Sequence, residues 1–252
     1  MAVRQFLSLH SGEHRLSRLA RFFGVPPLSR ATEHAYHGAL AELAVVGVLD
    51  ALGPNWTVLH GVSADPELPT VEHLLVGPPG VVAIGIHNHR GGTVWVGERT
   101  MIVDGEAQPG LAVAEAQRRA VEQRMSRALG SPMGVVPCLL IVDPLELEAR
   151  ARSRDTVVLR SAQLRGWLAR LPRLHSQAVV DRCSTAAADP GTWATSDSYE
   201  PGADLAGFAR IDAELTCSRR RRLAWAVSAA VLTQASVVAM YASVLEESLA
   251  GG

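Results

Sequence analysis

No lysine occurs anywhere in this 252-residue chain: all 24 of its Lys and Arg residues are arginine. That absence excludes a Schiff-base lysine or a lysine ammonium as the cation of an active site. Cysteine is also scarce. Cys138, Cys183 and Cys217 are widely separated and odd in number, which excludes a disulfide framework and matches no zinc-ligand spacing. Cys138 lies inside an apolar run and reads as a small core residue. An excess of charge of one sign is missing too. A net charge of -1 and a pI near 6.8 argue against nucleic-acid binding driven by overall charge. Residues 1–16 contain no apolar stretch long enough for a secretory signal, so a reducing cytoplasm is expected for the soluble part.

What is present is a core. Hydrophobic residues make up 48% of the chain, enough for one sizeable domain and an appendage. Residues 1–30 carry Arg15, Leu16, Leu19, Arg21, Phe22 and Phe23 and predict a basic amphipathic segment ended by Pro26 and Pro27. Docking on the domain is its expected role, with membrane-surface contact as the other. Residues 31–185 predict an α/β domain. Leu40, Leu43, Ala44, Val48 and Ala51 fall at helical spacing, so a helix is predicted over 31–53. Strands are predicted over 56–60, 72–76 and 81–86, the last two joined by Gly77-Pro78-Pro79-Gly80. A hairpin follows at 93–96 and 100–103, then a helix over 110–129 and a buried strand over 135–142. A short strand at 156–159 and a helix over 161–171 complete the domain. The Asp-, Ser-, Thr- and Pro-rich stretch after Ala186 predicts a linker within 186–218.

The last segment, 219–246, is predicted to be a transmembrane helix. Arg219 to Arg222 form a cationic block, and Leu223 to Leu245 carry no charge. Such a run extends roughly 34 Å as a helix, against a bilayer core of about 30 Å. Trp225 and Tyr241 lie near its ends, where interfacial aromatics belong, and the arginines place the main domain on the cytoplasmic side. A buried helix of a soluble cytoplasmic protein is the alternative.

The chemistry-bearing residues lie between His37 and His89. The first helix contains His37-Gly38-Ala39-Leu40-Ala41-Glu42. The hairpin reads Val71-Glu72-His73-Leu74-Leu75-Val76-Gly77-Pro78-Pro79-Gly80-Val81-Val82-Ala83-Ile84-Gly85-Ile86-His87-Asn88. Over about Ala35 to Val142 the chain resembles the NERD (nuclease-related domain) family. The resemblance implies a restriction-endonuclease-like core, a mixed central sheet flanked by helices, to which the C-terminal hydrophobic helix is added. In that family carboxylates on a helix and a hairpin hold Mg²⁺, and a Glu-x-Lys strand completes the site. Gly38 and Glu42 match the helix motif, with Ala41 in place of its second glycine. Glu72 occupies the place of the hairpin aspartate and is the one implied metal ligand. Gly85 stands where the family has its catalytic glutamate, and His87 where it has lysine. Glu115 aligns loosely with a helix glutamine.

Loss of a carboxylate and of the permanent cation removes several orders of magnitude in rate. A catalytically silent module for binding or scaffolding is therefore expected, with no cofactor and only a weak expectation of nucleic acid as partner. The alternative is a divalent-metal nuclease with a rearranged site of Glu42, Glu72 and His87, using Mg²⁺. Three plainer readings stand beside it: Glu42 as a polar helix face, Glu72 as a semi-exposed strand residue, and His73 as a hydrogen-bonded core histidine. His87 and His89 with Glu72 form a further, transition-metal alternative. The geometry around Gly85 discriminates: convergence of Glu42, Glu72 and His87 permits chemistry, and apolar packing over Gly85 removes it.

Overall fold

The computed structural model describes residues 2–12, 17–26, 28–149, 156–194 and 201–250, with the backbone alone described at 2, 30, 31, 201–204 and 239–250. The chain divides into two compact units, Met1–Phe6 with His34–Pro201, and Leu7–Glu33 with Gly202–Gly252. Helix α1 spans Ala2–Ser11, α2 Arg18–Phe22 and α3 Arg30–Asp50. Strands β1 (Thr57–Val62), β2 (Val71–Gly77) and β3 (Gly80–Asn88) follow, then β4 (Thr93–Val96), β5 (Met101–Val103) and β6 (Glu106–Gln108). Next come α4 (Gly110–Leu129), β7 (Val135–Val142), β8 (Glu146–Ala149), β9 (Val157–Arg160), α5 (Leu164–Leu168), α6 (Gln177–Ala188) and α7 (Pro201–Ala250).

The first unit is α/β, with mixed sheets flanked by helices. Its main sheet runs β1-β2-β3-β7-β9. β1, β2 and β3 pair antiparallel, whereas β3-β7 and β7-β9 pair parallel. A second sheet runs β6-β5-β4-β8. Side chains alternate between the faces of a strand, and the cores on either face of the main sheet's β2 and β3 follow that alternation. Leu74, Val76, Val81 and Ala83 pack with Val121 and Met125 of α4 and Cys183 and Ala187 of α6. Leu75, Val82, Ile84 and Leu140 pack with Val45 and Leu49 of α3 and Leu164 and Leu168 of α5. Cys138 belongs to the second core, where burial pushes its thiol up to about 12.

Where turn chemistry was strong the predicted boundaries and the observed ones coincide. Pro109 precedes α4, and Gly130 ends it at φ 67°, a left-handed value that favours glycine. Several elements differ from expectation. The stretch read as the start of the linker is the end of α6, which buries Val180, Cys183 and Ala187 at helical spacing. Strands β6 and β8 were not expected, because Glu106–Gln108 and Glu146–Ala149 are short, polar and mostly exposed. β6 follows a two-residue Asp104-Gly105 turn with positive φ at both positions, the Asp-Gly hairpin signal. The helix expected over 161–171 is a 3-10 turn, Ser161–Gln163, leading into α5.

In the second unit, α7 incorporates the C-terminal apolar run. Among the described residues no helix is long and apolar enough to cross a membrane. The described side chains of that run end at Val238, so Tyr241 and the rest of the uncharged stretch lie outside them, as do Arg15, Leu16 and Pro27 of the N-terminal segment.

The Gly-Pro-Pro-Gly turn is held by more than its own conformation. Pro78 O accepts from Leu174 N and His175 N at 2.9 and 3.0 Å. A Cβ at Gly77 would lie 2.4 Å from the Trp56 ring. Gly77→Ala must displace that indole, an overpacking cost of about 1–3 kcal/mol. Urea unfolding should show a lower midpoint with an unchanged slope.

Candidate functional site

The β2-β3 ladder stops where the predicted site begins. Its paired positions run from Gly77↔Gly80 to His73↔Ile84. One step further the backbone amide of Ile86 donates to Glu72 Oε2 at 3.0 Å. The carboxylate thus takes the amide as the ladder ends, and it does so across Gly85. A Cβ built on Gly85 would lie 3.5 Å from Glu72 Oε2, with no other non-neighbouring atom of the described residues within 4 Å. Glu72 is the partly exposed strand residue expected, and it is Glu72 itself, rather than an apolar side chain, that lies over Gly85. Burial raises its carboxyl pKa, the Ile86 amide opposes that rise, and the charge of Glu42 adds to it.

Glu42 comes from the α3 layer. It precedes Val45 by three residues and Leu49 by seven, so it shares their sheet-facing stripe. It is only 5% exposed, and its Oε2 accepts from the Val3 amide at 3.1 Å. The reading of Glu42 as a solvated helix face is corrected: a carboxylate on that stripe has to be buried, and it is hydrogen-bonded there. Glu42 and Glu72 are within electrostatic reach of one another.

His87 lies on the α4 side of β3, on the same face as Gly85 and Ala83. Its ring approaches the first residue of α4, where a Cβ on Gly110 would be 3.1 Å from His87 Cε1. Burial, helped by His89, lowers its pKa to about 4. His87 is therefore a neutral imidazole at pH 7 and supplies no cation there. Among the described residues, no group of three or more His, Cys, Asp or Glu side chains is placed to hold a metal ion. Glu115 forms a bidentate pair with Arg118 at 2.7 and 2.8 Å on α4. The buried polar residue of that helix is Gln117, which donates to Pro69 O and Thr70 O and fixes the approach to β2.

Sequence reading missed the partner of His73. His60 on β1 stands directly opposite His73 on β2. Their Nδ1 atoms are 2.8 Å apart, so one ring donates to the other. His73 is 1% exposed, and its Nε2 has no hydrogen-bond partner among the described residues. Desolvation, then the charge of His60, holds the His73 pKa at about 3. Desolvation also lowers His60, against the attraction of Asp50 and Glu42. His73 is thus the core histidine expected, but its partner required knowledge of register. A second polar group gathers at the end of β3. Asn88 Nδ2 donates to His34 O at 3.4 Å, and Arg90 Nη1 lies 2.6 Å from His37 Nε2. The expected pairing of His87 with His89 on one side is present, with ring centroids 5.8 Å apart.

These groups titrate with opposite signs. Imidazoles whose folded pKa lies below 6.5 bind protons first in the unfolded chain, so their contribution to stability is lost as pH falls from 6.5 towards the folded values. Each contributes a slope of at most about 1.4 kcal/mol per pH unit. Acid titration of the unfolding free energy should fall between pH 6.5 and 3, and His73→Gln should flatten it. The raised Glu72 carboxyl works the other way: stability is present below the unfolded value of 4.5 and is lost as pH rises through the folded one. Glu72→Gln keeps an acceptor for the Ile86 amide and removes the buried charge. It should raise the unfolding midpoint at pH 7 and leave it unchanged below pH 4.

No protein-family model matches the chain, and no curated protein or solved structure matches it.

Proposed function

We propose that this chain is a membrane-tethered, NERD-like module on the cytoplasmic face of a membrane, silent as a nuclease and acting by binding or scaffolding. The observation that carries this reading is the engagement of Glu72. Its carboxylate caps the Ile86 amide above a glycine that offers no second ligand, and His87 is half-buried and neutral. Phosphodiester hydrolysis of this class needs at least two carboxylates on Mg²⁺ and a cation for the phosphate. Here the hairpin supplies one carboxylate already hydrogen-bonded to the backbone, and a neutral imidazole where the family has lysine. The restriction-endonuclease-like core is supported by the order of elements and by the strand pair that ends its ladder at Glu72 and Gly85. The tether is supported by the uncharged stretch from Leu223 to Leu245 behind four arginines. No cofactor is assigned.

The test is a cleavage assay on single- and double-stranded DNA and on RNA, with Mg²⁺ or Mn²⁺ and protein in molar excess. No metal-dependent product is expected, and Mg²⁺ should leave the unfolding temperature unchanged. Cleavage that disappears in Glu72→Ala would restore the alternative of an active site built from Glu42, Glu72 and His87.

A further inference from the structure

The second unit contains a built recess that the proposed nuclease-like site does not use. Helix α2 lies along α7, fixed by three contacts. Trp225 Nε1 donates to Phe22 O at 3.0 Å, and Arg221 Nη1 donates to Arg21 O at 3.3 Å. Gly24, at φ +74°, meets the α7 backbone so closely that a Cβ there would fall 2.5 Å from Ser218 O. The recess between the two helices has a volume of about 550 Å³ and is lined by Arg18, Arg21, Phe22, Arg221, Ala224 and Trp225. Among the described residues, none of these three arginines makes an ion pair.

Two further observations say what the recess faces. Phe22, Phe23 and Trp225 form a ring cluster with centroids 5.0–5.4 Å apart. All three rings remain 41–56% exposed. Beyond them every described residue from Arg219 to Val238 is exposed, including Leu223, Val227, Val231, Leu232 and Val238. A helix that docks on a protein buries one apolar stripe, and along this part of α7 no described side is buried. Aromatic rings beside arginines, at the start of such a helix, match the boundary between headgroups and hydrocarbon.

We infer that the recess between α2 and α7 is a binding site for the phosphate of an anionic lipid headgroup, held by Arg18, Arg21 and Arg221 with the Phe22-Phe23-Trp225 cluster seated at the acyl boundary. The inference rests on the membrane-tether reading and adds a partner to it. Arginine suits the role because its planar fork hydrogen-bonds phosphate oxygens in pairs. Each arginine near an anionic surface strengthens partitioning about fivefold.

The experiment uses the full chain and two kinds of vesicle, one of phosphatidylcholine alone and one of equal parts phosphatidylcholine and phosphatidylglycerol, in flotation assays at constant ionic strength. Wild type should favour the anionic vesicles by about tenfold or more. The double substitution Arg18→Gln, Arg21→Gln removes no hydrogen bond given above and leaves the block Arg219–Arg222 intact. It should lose most of that preference while still binding neutral vesicles. Circular dichroism of the variant should match wild type. Equal binding of wild type to both vesicles overturns the headgroup site and leaves the tether standing. A preference that survives the double substitution also overturns the site, because the four-arginine block then suffices. Binding to neither vesicle overturns tether and site together. Release from anionic vesicles by inorganic phosphate, at an ionic strength where chloride does not release the chain, would assign the recess to a soluble anion. Arginine-dependent binding to a single-stranded oligonucleotide in preference to the anionic vesicles would assign it to nucleic acid. Either result overturns the proposal.

Discussion

The parallel pairing of β3 with β7 is the constraint on which the α/β unit depends. It runs unbroken from Val81↔Val135 to Asn88↔Val142. Parallel neighbours cannot be joined by a tight turn, so the chain between them must cross over. Here that crossover contains the β4-β5-β6 meander and the whole of α4. The alternation of β3 then decides which layer each side chain meets. Val81 and Ala83 go to α4 and α6, while Val82 and Ile84 go to α3 and α5. Both cores hang from this one strand, and so does the candidate site, because Gly85 and His87 continue the Val81-Ala83 face.

That placement explains why the end of β3 has the character it does. A residue at 85 with a long polar side chain would occupy the space that the Glu72 carboxylate now takes. With glycine there, the carboxylate crosses to the Ile86 amide and satisfies a donor that the ended ladder would leave open. The hydrogen bond is neutral to charge-assisted depending on protonation, and burial favours the protonated form. A metal ligand in this position would have to surrender the amide first. His87, two residues on, faces α4 and the second sheet and stays neutral. The two hairpin residues most suggestive of chemistry are therefore tied into structure by different neighbours.

Legibility in the sequence followed the strength of local signals. The bounds of α4 and β7 could be read because proline and glycine punctuate the helix and an unbroken apolar run marks a strand buried on both faces. The hairpin was readable from Gly77-Pro78-Pro79-Gly80 between β-branched runs. By contrast α6 hides in an Ala-, Ser- and Thr-rich stretch, and only the spacing of Val180, Cys183 and Ala187 marks its buried side. The pairing of His60 with His73 was not readable at all. It is a matter of register, set by the loop Ala64–Thr70, and that loop is pinned by residues far along the chain. Gln117 holds Pro69 and Thr70, and Arg124 Nε holds Ala64 O at 3.0 Å. Glu42 was legible as a candidate but not as a buried carboxylate, since its partner Val3 lies 39 residues away.

The same distinction between local pattern and long-range partner separates the two units. In the α/β unit, polar groups are drawn inward: desolvation keeps His73 and His87 neutral, and burial raises the pKa of Glu72 above a glycine. In the α2-α7 unit the arrangement is reversed. Arginines and aromatic rings are fixed in place by backbone contacts, through Gly24, Phe22 O and Arg21 O, yet their functional ends stay at the surface. Rigid backbone placement of exposed cations has no purpose for solubility, which a flexible arginine serves equally well. It reduces the ordering entropy that binding would otherwise cost. Cations carried on a fixed backbone beside a ring cluster suit the proposed ligand with a negative head and an apolar body, and the uncharged run that follows supplies the direction in which that body lies.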